Sequence, residues 1–328
     1  MVPLEPFVAL PRVTVYHPRG LHMRAAIPAA AISVMLGLVA CGGGGDSNDM
    51  GRVSLGVTDA PVDDARNVVV QFSGVAFKRA GAATERVQNL SPSPRQLDLL
   101  QYQGGRAALL LDGVTLPAGD YEWVRLIVDN EPAVRDSYIV LTGGEECELR
   151  VPSGAESGLK LNRGFTLPAD GSVALTIDFD LRKSIHAPPG QRGTTDACTQ
   201  GYLMRPTLRI VNDAEVGAIS GHVDSALVTD ECLPKVYIFS GSGVTPDDLE
   251  DANGADADPL VVASVAIENG STAYAYRAAF LPPGPYTAAF TCDDDDAALD
   301  DTLVFSGTQN VTVQTNLIST ADFAAPAP

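Results

Sequence analysis

The residues in this chain best suited to chemistry are acidic, and they are gathered in two tracts. Asp247, Asp248, Glu250, Asp251, Asn253, Asp256 and Asp258 crowd around Gly254, while Asp293, Asp294, Asp295, Asp296, Asp300 and Asp301 follow Cys292. Neighbouring carboxylates repel one another, and either full hydration or a divalent cation relieves the repulsion. An all-oxygen donor set suits Ca2+, which takes roughly 6–8 oxygen ligands. The first tract is not an EF-hand loop, because Leu249 stands where the first Asp should precede Gly254. Asp247, Asp248, Asp251, Asn253, Asp256 and Asp258 are nevertheless a candidate Ca2+ loop, and Ca2+ is the only cofactor the sequence suggests. The alternative, a hydrated loop that adds solubility, is the reading that composition favours. A third acidic stretch, Thr58-Asp59-Ala60-Pro61-Val62-Asp63-Asp64, leaves an apolar run, and turn capping explains it better than a metal.

Catalytic spacings are missing from the sequence, and no catalytic residue is assigned. Beyond residue 41 the only histidines are His186 and His222, neither with a companion at metal-ligand spacing. No G-x-S-x-G elbow, phosphate loop or dinucleotide fingerprint occurs, and Gly241-Ser242-Gly243 lacks the rest of any such motif. A hydrolase would have to use two carboxylates from different strands, meeting in one pocket with opposed environments. Tyr121, Trp123 and Arg125 fall on one face of an alternating run. Such a strip could stack on sugars or form a protein-binding hot spot. A sole Trp is more often a core residue, and that is the favoured expectation for Trp123.

One cysteine stands apart from the other four. Residues 25–40 read AAIPAAAISVMLGLVA, an uncharged stretch of apolar character preceded by Arg19 and Arg24. It is shorter than the roughly 20 apolar residues a spanning helix needs, and it suits the central region of a signal peptide. It ends in Leu38-Val39-Ala40-Cys41, an aliphatic, a variable and a small residue before a thiol, which resembles a lipobox. Cleavage before Cys41 and acylation of its sulfur are therefore expected. The Gly42–Gly45 run and the polar residues after it read as a tether, residues 41–50. Met23 would give a leader of ordinary length, so it is the favoured start within residues 1–40. By resemblance to the sorting cues of Gram-negative lipoproteins, Gly42 after the Cys points to the outer membrane. The remaining Cys147, Cys198, Cys232 and Cys292 form an even set, as an oxidising compartment allows. Three pairings are open, and Cys147–Cys198 with Cys232–Cys292 is favoured because each then closes one half of the chain.

These groups must be held by strands. The 31 Gly and 23 Pro punctuate short Val-, Leu- and Ala-rich runs, a pattern of many strands and turns. Strand-like runs are RVSLGVT (52–58), VVVQFSGVAF (68–77), YEWVRLIVD (121–129), SYIVLT (137–142), VALTIDFDL (173–181) and LMRPTLRIV (203–211). The second half adds GAISGHV (217–223), KVYIFS (235–240), PLVVASVAI (259–267), AYAYRAAF (273–280), PYTAAFTC (285–292) and QNVTVQTNLI (309–318). In VALTIDFDL the alternation assigns Thr176, Asp178 and Asp180 to a wet face. Only Gln96–Leu111 offers a short helix. Leu116-Pro117-Ala118-Gly119-Asp120-Tyr121 is echoed by Leu281-Pro282-Pro283-Gly284-Pro285-Tyr286, for which recurrent turn chemistry is the simpler explanation.

Charge divides the chain as well. The formal net charge is −19, and after Asn212 Lys235 and Arg277 are the only basic residues. That balance argues against nucleic acid as a partner. The sequence thus predicts an all-β protein: two β-sandwich-like modules, residues 51–212 and 213–328, behind a cleaved lipoprotein signal peptide.

Three stretches carry a family resemblance. TDAPVDDARNVVVQFSGVAF (58–77), LLLDGVTLPAGDYEWVRLIVD (109–129) and VPSGAESGLKLNRGFTLPADGSVALTIDFDLRKSI (151–185), followed by YLMRPTLRIV (202–211), resemble the domain-of-unknown-function family 4382 of bacterial lipoproteins. The resemblance implies an exported β-rich domain of unestablished activity. GAISGHV and FLPPGPYTAAF (280–290) resemble the carboxypeptidase-regulatory or transthyretin-like β-sandwich, whose members are usually structural or adhesive companions. The expectation is a non-enzymatic protein of the outer membrane, held to the membrane by the Cys41 lipid and binding an envelope protein or glycan. A Ca2+-dependent adhesin is the second expectation and a carboxylate hydrolase the third.

Overall fold

The apolar runs extend as strands until a proline, a left-handed residue or an acidic turn stops them. The computed structural model describes residues 49–59, 65–129, 135–151, 158–188, 195–249, 258–267, 271–296 and 299–325. The first half contributes β1 (Met50–Asp59), β2 (Ala65–Arg79), β3 (Arg86–Asn89), β4 (Arg95–Asp98), β5 (Ala108–Pro117), β6 (Gly119–Val128) and β7 (Tyr138–Leu141). It continues with β8 (Glu146–Arg150), β9 (Leu159–Leu161), β10 (Phe165–Leu167), β11 (Ser172–Phe179), α1 (Leu181–Ser184), β12 (Ile185–His186), α2 (Thr195–Gln200), β13 (Tyr202–Met204) and β14 (Leu208–Asn212). The second half contributes β15 (Gly217–Val223), β16 (Lys235–Ser240), β17 (Val261–Ser264), β18 (Ala266–Ile267), β19 (Tyr274–Leu281), β20 (Gly284–Thr291), β21 (Phe305–Val313) and β22 (Ile318–Thr320).

The fold is all-β, with four sheets arranged as two sandwiches. In the first, a sheet ordered β14-β11-β1-β5 faces one whose spine is β10-β6-β2-β7-β8-β13-β12. Val53, Leu55, Val57, Leu175, Ile177 and Phe179 from one sheet meet Val70, Phe72, Val75, Val124, Leu126 and Val128 from the other. Phe72 and Phe179 pack edge to face with centroids 6.3 Å apart. In the second, sheets ordered β18-β19-β15-β22 and β17-β16-β20-β21 enclose a smaller core of Ile219, Val223, Val236, Ile238, Tyr276, Ala288 and Phe290. β16 is buried on both faces. Its outward Tyr237 and Phe239 lie in a separate cluster with Leu249, Val262 and Ala289. One disulfide, Cys147–Cys198, joins β8 to α2, and the other, Cys232–Cys292, joins the approach to β16 to the end of β20.

The two sandwiches share a plan. β1 lies between antiparallel β5 and parallel β11, as β15 lies between antiparallel β19 and parallel β22. β2 pairs antiparallel with β6, as β16 pairs with β20. In each, the echoed turn carries the chain from one sheet to the other. The Tyr121 hydroxyl donates to the Pro117 carbonyl at 2.8 Å, and the Tyr286 hydroxyl donates to the Pro282 carbonyl at 2.7 Å. Leu116 and Leu281 are wholly buried beside these turns. They pair with Gly51 and Gly217, where an added Cβ would sit 2.6 and 2.2 Å from backbone oxygens. The likeness therefore extends from a turn to a strand arrangement, further than recurrent turn chemistry explains.

Several local expectations are corrected. LMRPTLRIV is two strands in different sheets, broken where Pro206 has no amide to offer a ladder. PLVVASVAI changes sheet at Val265, between β17 and β18. QNVTVQTNLI ends at Val313 and resumes as β22 after a turn in which Asn316 has φ 58, a left-handed conformation that Asn tolerates. Gln96–Leu111 holds a single 3-10 turn, Leu99–Gln101, between β4 and β5. The supposed wet face of β11 is largely covered: Thr176 is buried and Asp178 half-buried.

Candidate functional site

The end of β11 places charge against the second sandwich. Asp180 caps α1 by accepting from the Lys183 amide at 3.2 Å. The short helix then directs Arg182 away from its own core. Arg182 Nη1 donates to Asp295 Oδ2 at 2.9 Å and to the Tyr237 hydroxyl at 3.0 Å. Its Nη2 donates to the Asp295 carbonyl at 3.1 Å. The Tyr237 hydroxyl in turn donates to Asp295 Oδ2 at 2.5 Å. The side chains of Arg182 and Asp295 are 3% and 0% exposed, so this is a buried ion pair between the two sandwiches. Burial, chiefly, pushes the Tyr237 phenol far above its ordinary range and keeps it a donor. Lys183 adds an ion pair with Asp258 at the margin.

Beside this latch lies a crevice of about 20 Å3, lined by Asp178, Asp180 and Arg182 on one side and Leu249, Leu260 and Val262 on the other. That is room for about one water. Burial raises the pKa of Asp178 and of Asp180, against the opposing pull of Arg209 on the first and of the Lys183 amide and charge on the second.

The second acidic tract is folded onto itself. The Val304 amide donates to Asp293 Oδ2 at 2.6 Å, and the Asp296 amide donates to Asp301 Oδ2 at 2.8 Å. The Asp301 amide donates to Asp248 Oδ2 at 2.5 Å, which joins this tract to the first one. Asp248, Asp295 and Asp301 consequently converge, each offering an oxygen within 4.8 Å of the others, and this is the one such group among the described residues. Asp248 and Asp295 are each 1% exposed, unlike the hydrated loop that composition favoured. The Asp248 pKa is raised, first by burial and further by the charges of Asp295, Asp247 and Asp300, while the Asp301 amide lowers it.

Of the six residues of the expected Ca2+ loop, Asp248 joins the convergent group. Asp247 is half-buried, Asp258 is exposed and paired to Lys183, and Asp251, Asn253 and Asp256 lie outside the described residues. The two tracts are separate in sequence, and the Asp301 amide bond to Asp248 that joins them has no local signal in either. Cys41, the expected tether up to residue 48, Asp63 and Asp64 also lie outside the described residues, and Met50, expected at the end of the tether, opens β1 instead.

The strip of Tyr121, Trp123 and Arg125 is divided. A bulge in the pairing of β2 with β6, between Lys78 and Arg79, resets the alternation. Tyr121 consequently enters the core, stacked on Phe165 at 4.8 Å. Trp123 is half-buried on the outer face instead of in the core, with Lys160 Nζ 4.6 Å and the Arg125 guanidinium 5.9 Å from its ring. Arg125 is itself paired to Glu85. His222, on β15, is exposed 3.7 Å from Asp322, and His186 is in the other sandwich. No helix among the described residues is long and apolar enough to cross a membrane.

Residues 50–206, just under half of the chain, match the family described as Domain of unknown function (DUF4382). No curated protein matches the chain. Solved structures that match include a leucine-rich repeat protein from Bacteroides thetaiotaomicron, 13% identical over 84% of this chain and 26% of that one, with a TM-score of 0.20. The TIE protein of Bacillus anthracis is 10% identical over 84% of this chain and 33% of its own, with a TM-score of 0.19. The minor pilin of Streptococcus agalactiae is 8% identical over 84% and 97%, with a TM-score of 0.18. The chain thus spans about a quarter and a third of the first two proteins it matches.

Proposed function

We propose that this chain is a non-enzymatic protein of the bacterial cell envelope, tethered to the outer membrane through a lipid on Cys41. Its two sandwiches would act as one stiff body that binds an envelope protein or glycan or serves as a structural element, with no role for nucleic acid. The observation that carries the single-body part of the reading is the buried Arg182–Asp295–Tyr237 latch, and the Cys41 motif with its apolar leader supports the anchored part. Two sandwiches on a flexible linker would not bury a charge from each half against the other, because an ion stripped of water needs a fixed partner. The crevice beside Asp178 and Asp180 holds about one water, too little for a substrate to reach those two acids. The second sandwich is read as transthyretin-like on its GAISGHV and FLPPGPYTAAF segments.

Trp123 marks where a ligand would dock, since an aromatic ring flanked by cations on an outer face can stack on a sugar or a planar side chain. The test is a capture experiment, with the purified chain and its Trp123→Ala variant immobilised against envelope proteins and glycans. A glycan or protein retained by the parent and lost by the variant supports the reading. Equal retention by both would move the docking site elsewhere, and no retention by either leaves only the structural role. Intact-mass analysis of the membrane-extracted chain tests the anchor: a diacylglyceryl adduct on Cys41 is expected, and an unmodified thiol overturns it.

A further inference from the structure

We infer that Asp248, Asp295 and Asp301 form a binding site for one divalent cation, Ca2+ before others, at the joint between the sandwiches. Three features carry this beyond a simple cluster of acids. First, the Oδ1 atom of Asp295 is fully buried and has no hydrogen-bond partner, although Oδ2 of the same carboxylate is engaged by Arg182 and Tyr237. A carboxylate held this firmly by one oxygen leaves the other with an unmet need for positive charge or a proton donor. Second, the spacing fits: oxygens within 4.8 Å of one another can share an ion whose bonds are about 2.3–2.6 Å long, since oxygens on opposite sides of it stand roughly 4.6–5.2 Å apart. Third, the charge fits. Three carboxylates against the single Arg182 guanidinium leave two negative charges, and Asp247 and Asp300 add to the field at Asp248.

The donors are all oxygen, which selects a hard cation and disfavours zinc or copper. Waters and backbone carbonyls would complete the shell. Ca2+ tolerates an irregular shell, whereas Mg2+ demands a near-octahedral one and gives up its waters reluctantly. The site combines the two acidic tracts: it draws one ligand from the segment before β17 and two from the connection between β20 and β21. Because Asp295 is also the anchor for Arg182, an ion here would brace the latch itself. The inference is independent of which ligand the protein binds.

The experiment is a calorimetric titration of EDTA-stripped whole chain with CaCl2, paired with thermal melts in CaCl2, MgCl2 and EDTA. One Ca2+ per chain is expected. At calcium about a hundredfold above its Kd the folding constant should rise about 100-fold, which raises Tm by about 5 °C for a chain of this size. Mg2+ at the same concentration should give a smaller shift. Asp301→Asn, at a half-buried position, should keep the fold by circular dichroism and lose at least tenfold in Ca2+ affinity, while the exposed Asp322→Asn should bind as the parent does. Terbium emission sensitised by Tyr237 supplies a second readout on the parent chain alone. Absence of heat, Tm shift and terbium emission would overturn the site. Binding that survives in Asp301→Asn would also overturn it, because the ion would then sit elsewhere.

Discussion

Replacing Arg182 with Met removes the positive half of the latch while keeping most of its volume. In the native protein Arg182 donates to Asp295 Oδ2, to the Asp295 carbonyl and to the Tyr237 hydroxyl. After the change, Asp295 Oδ2 keeps only the Tyr237 hydroxyl, and a carboxylate that is 0% exposed stands without its counter-charge. Breaking one side of a buried ion pair costs about 3–5 kcal/mol, against about 0–1 kcal/mol for an exposed pair. Asp295→Leu should cost a similar amount, since it removes the buried counter-charge of the guanidinium. The double variant should be less damaged than the sum of the singles, because an apolar pair of similar volume can replace a buried ionic one with little loss. Urea denaturation followed by circular dichroism in EDTA measures all three, and a coupling energy above about 2 kcal/mol is expected. Single losses below about 1 kcal/mol, or a double variant equal to the sum, would refute the claim that the latch holds the sandwiches.

Four aspartates, one buried and three half-buried, should give the protein an uncommon pH response. Asp178, Asp180, Asp213 and Asp248 all have pKa values raised above the ordinary 3.8, with burial the largest cause in each. A carboxyl whose folded pKa exceeds its unfolded value contributes stability below the unfolded value and loses it as pH rises through the folded one. In EDTA, Tm should therefore climb as pH falls from 7 toward the ordinary aspartate range, and a monotonic fall over that interval would contradict this. Tyr121→Phe and Tyr286→Phe each delete one hydroxyl-to-proline bond of matching geometry. Each should cost about 0.5–1.5 kcal/mol in urea melts, and a large effect in one with none in the other would undercut the shared plan. Gly221→Ala would place a Cβ 1.9 Å from the Ala321 carbonyl oxygen, so it should drive β15 away from the closing segment and lower Tm sharply. Reducing the Cys232–Cys292 bond, which spans 60 residues, should cost about 4 kcal/mol through loop-closure entropy.

The strands were legible where one face meets water and the other the core. β1, β2, β6, β15, β16 and β20 follow their alternating or wholly apolar runs. Breaks inside a run were less legible: at Val265 the composition stays apolar while the chain changes sheets, because the change is set by which neighbour is available for pairing. Bulges are invisible to a strict period of two, and the one opposite Lys78 and Arg79 separated Tyr121 from Trp123. The latch was hidden for another reason. Arg182 sits in DLRKSI among ordinary polar residues, and nothing local says that its partner is 113 positions away. One global signal did exist. After Asn212 only Lys235 and Arg277 are basic, so a buried carboxylate in that half had few cations of its own and was suited to draw one from the other half.

Differential scanning calorimetry of the parent chain and Arg182→Met tests most directly whether the two sandwiches form one body. For the parent, a single transition is expected, with calorimetric and van't Hoff enthalpies in agreement, and the variant should resolve into two. Two separate transitions already present in the parent, unchanged by the substitution, would show that the sandwiches unfold independently and would contradict the account.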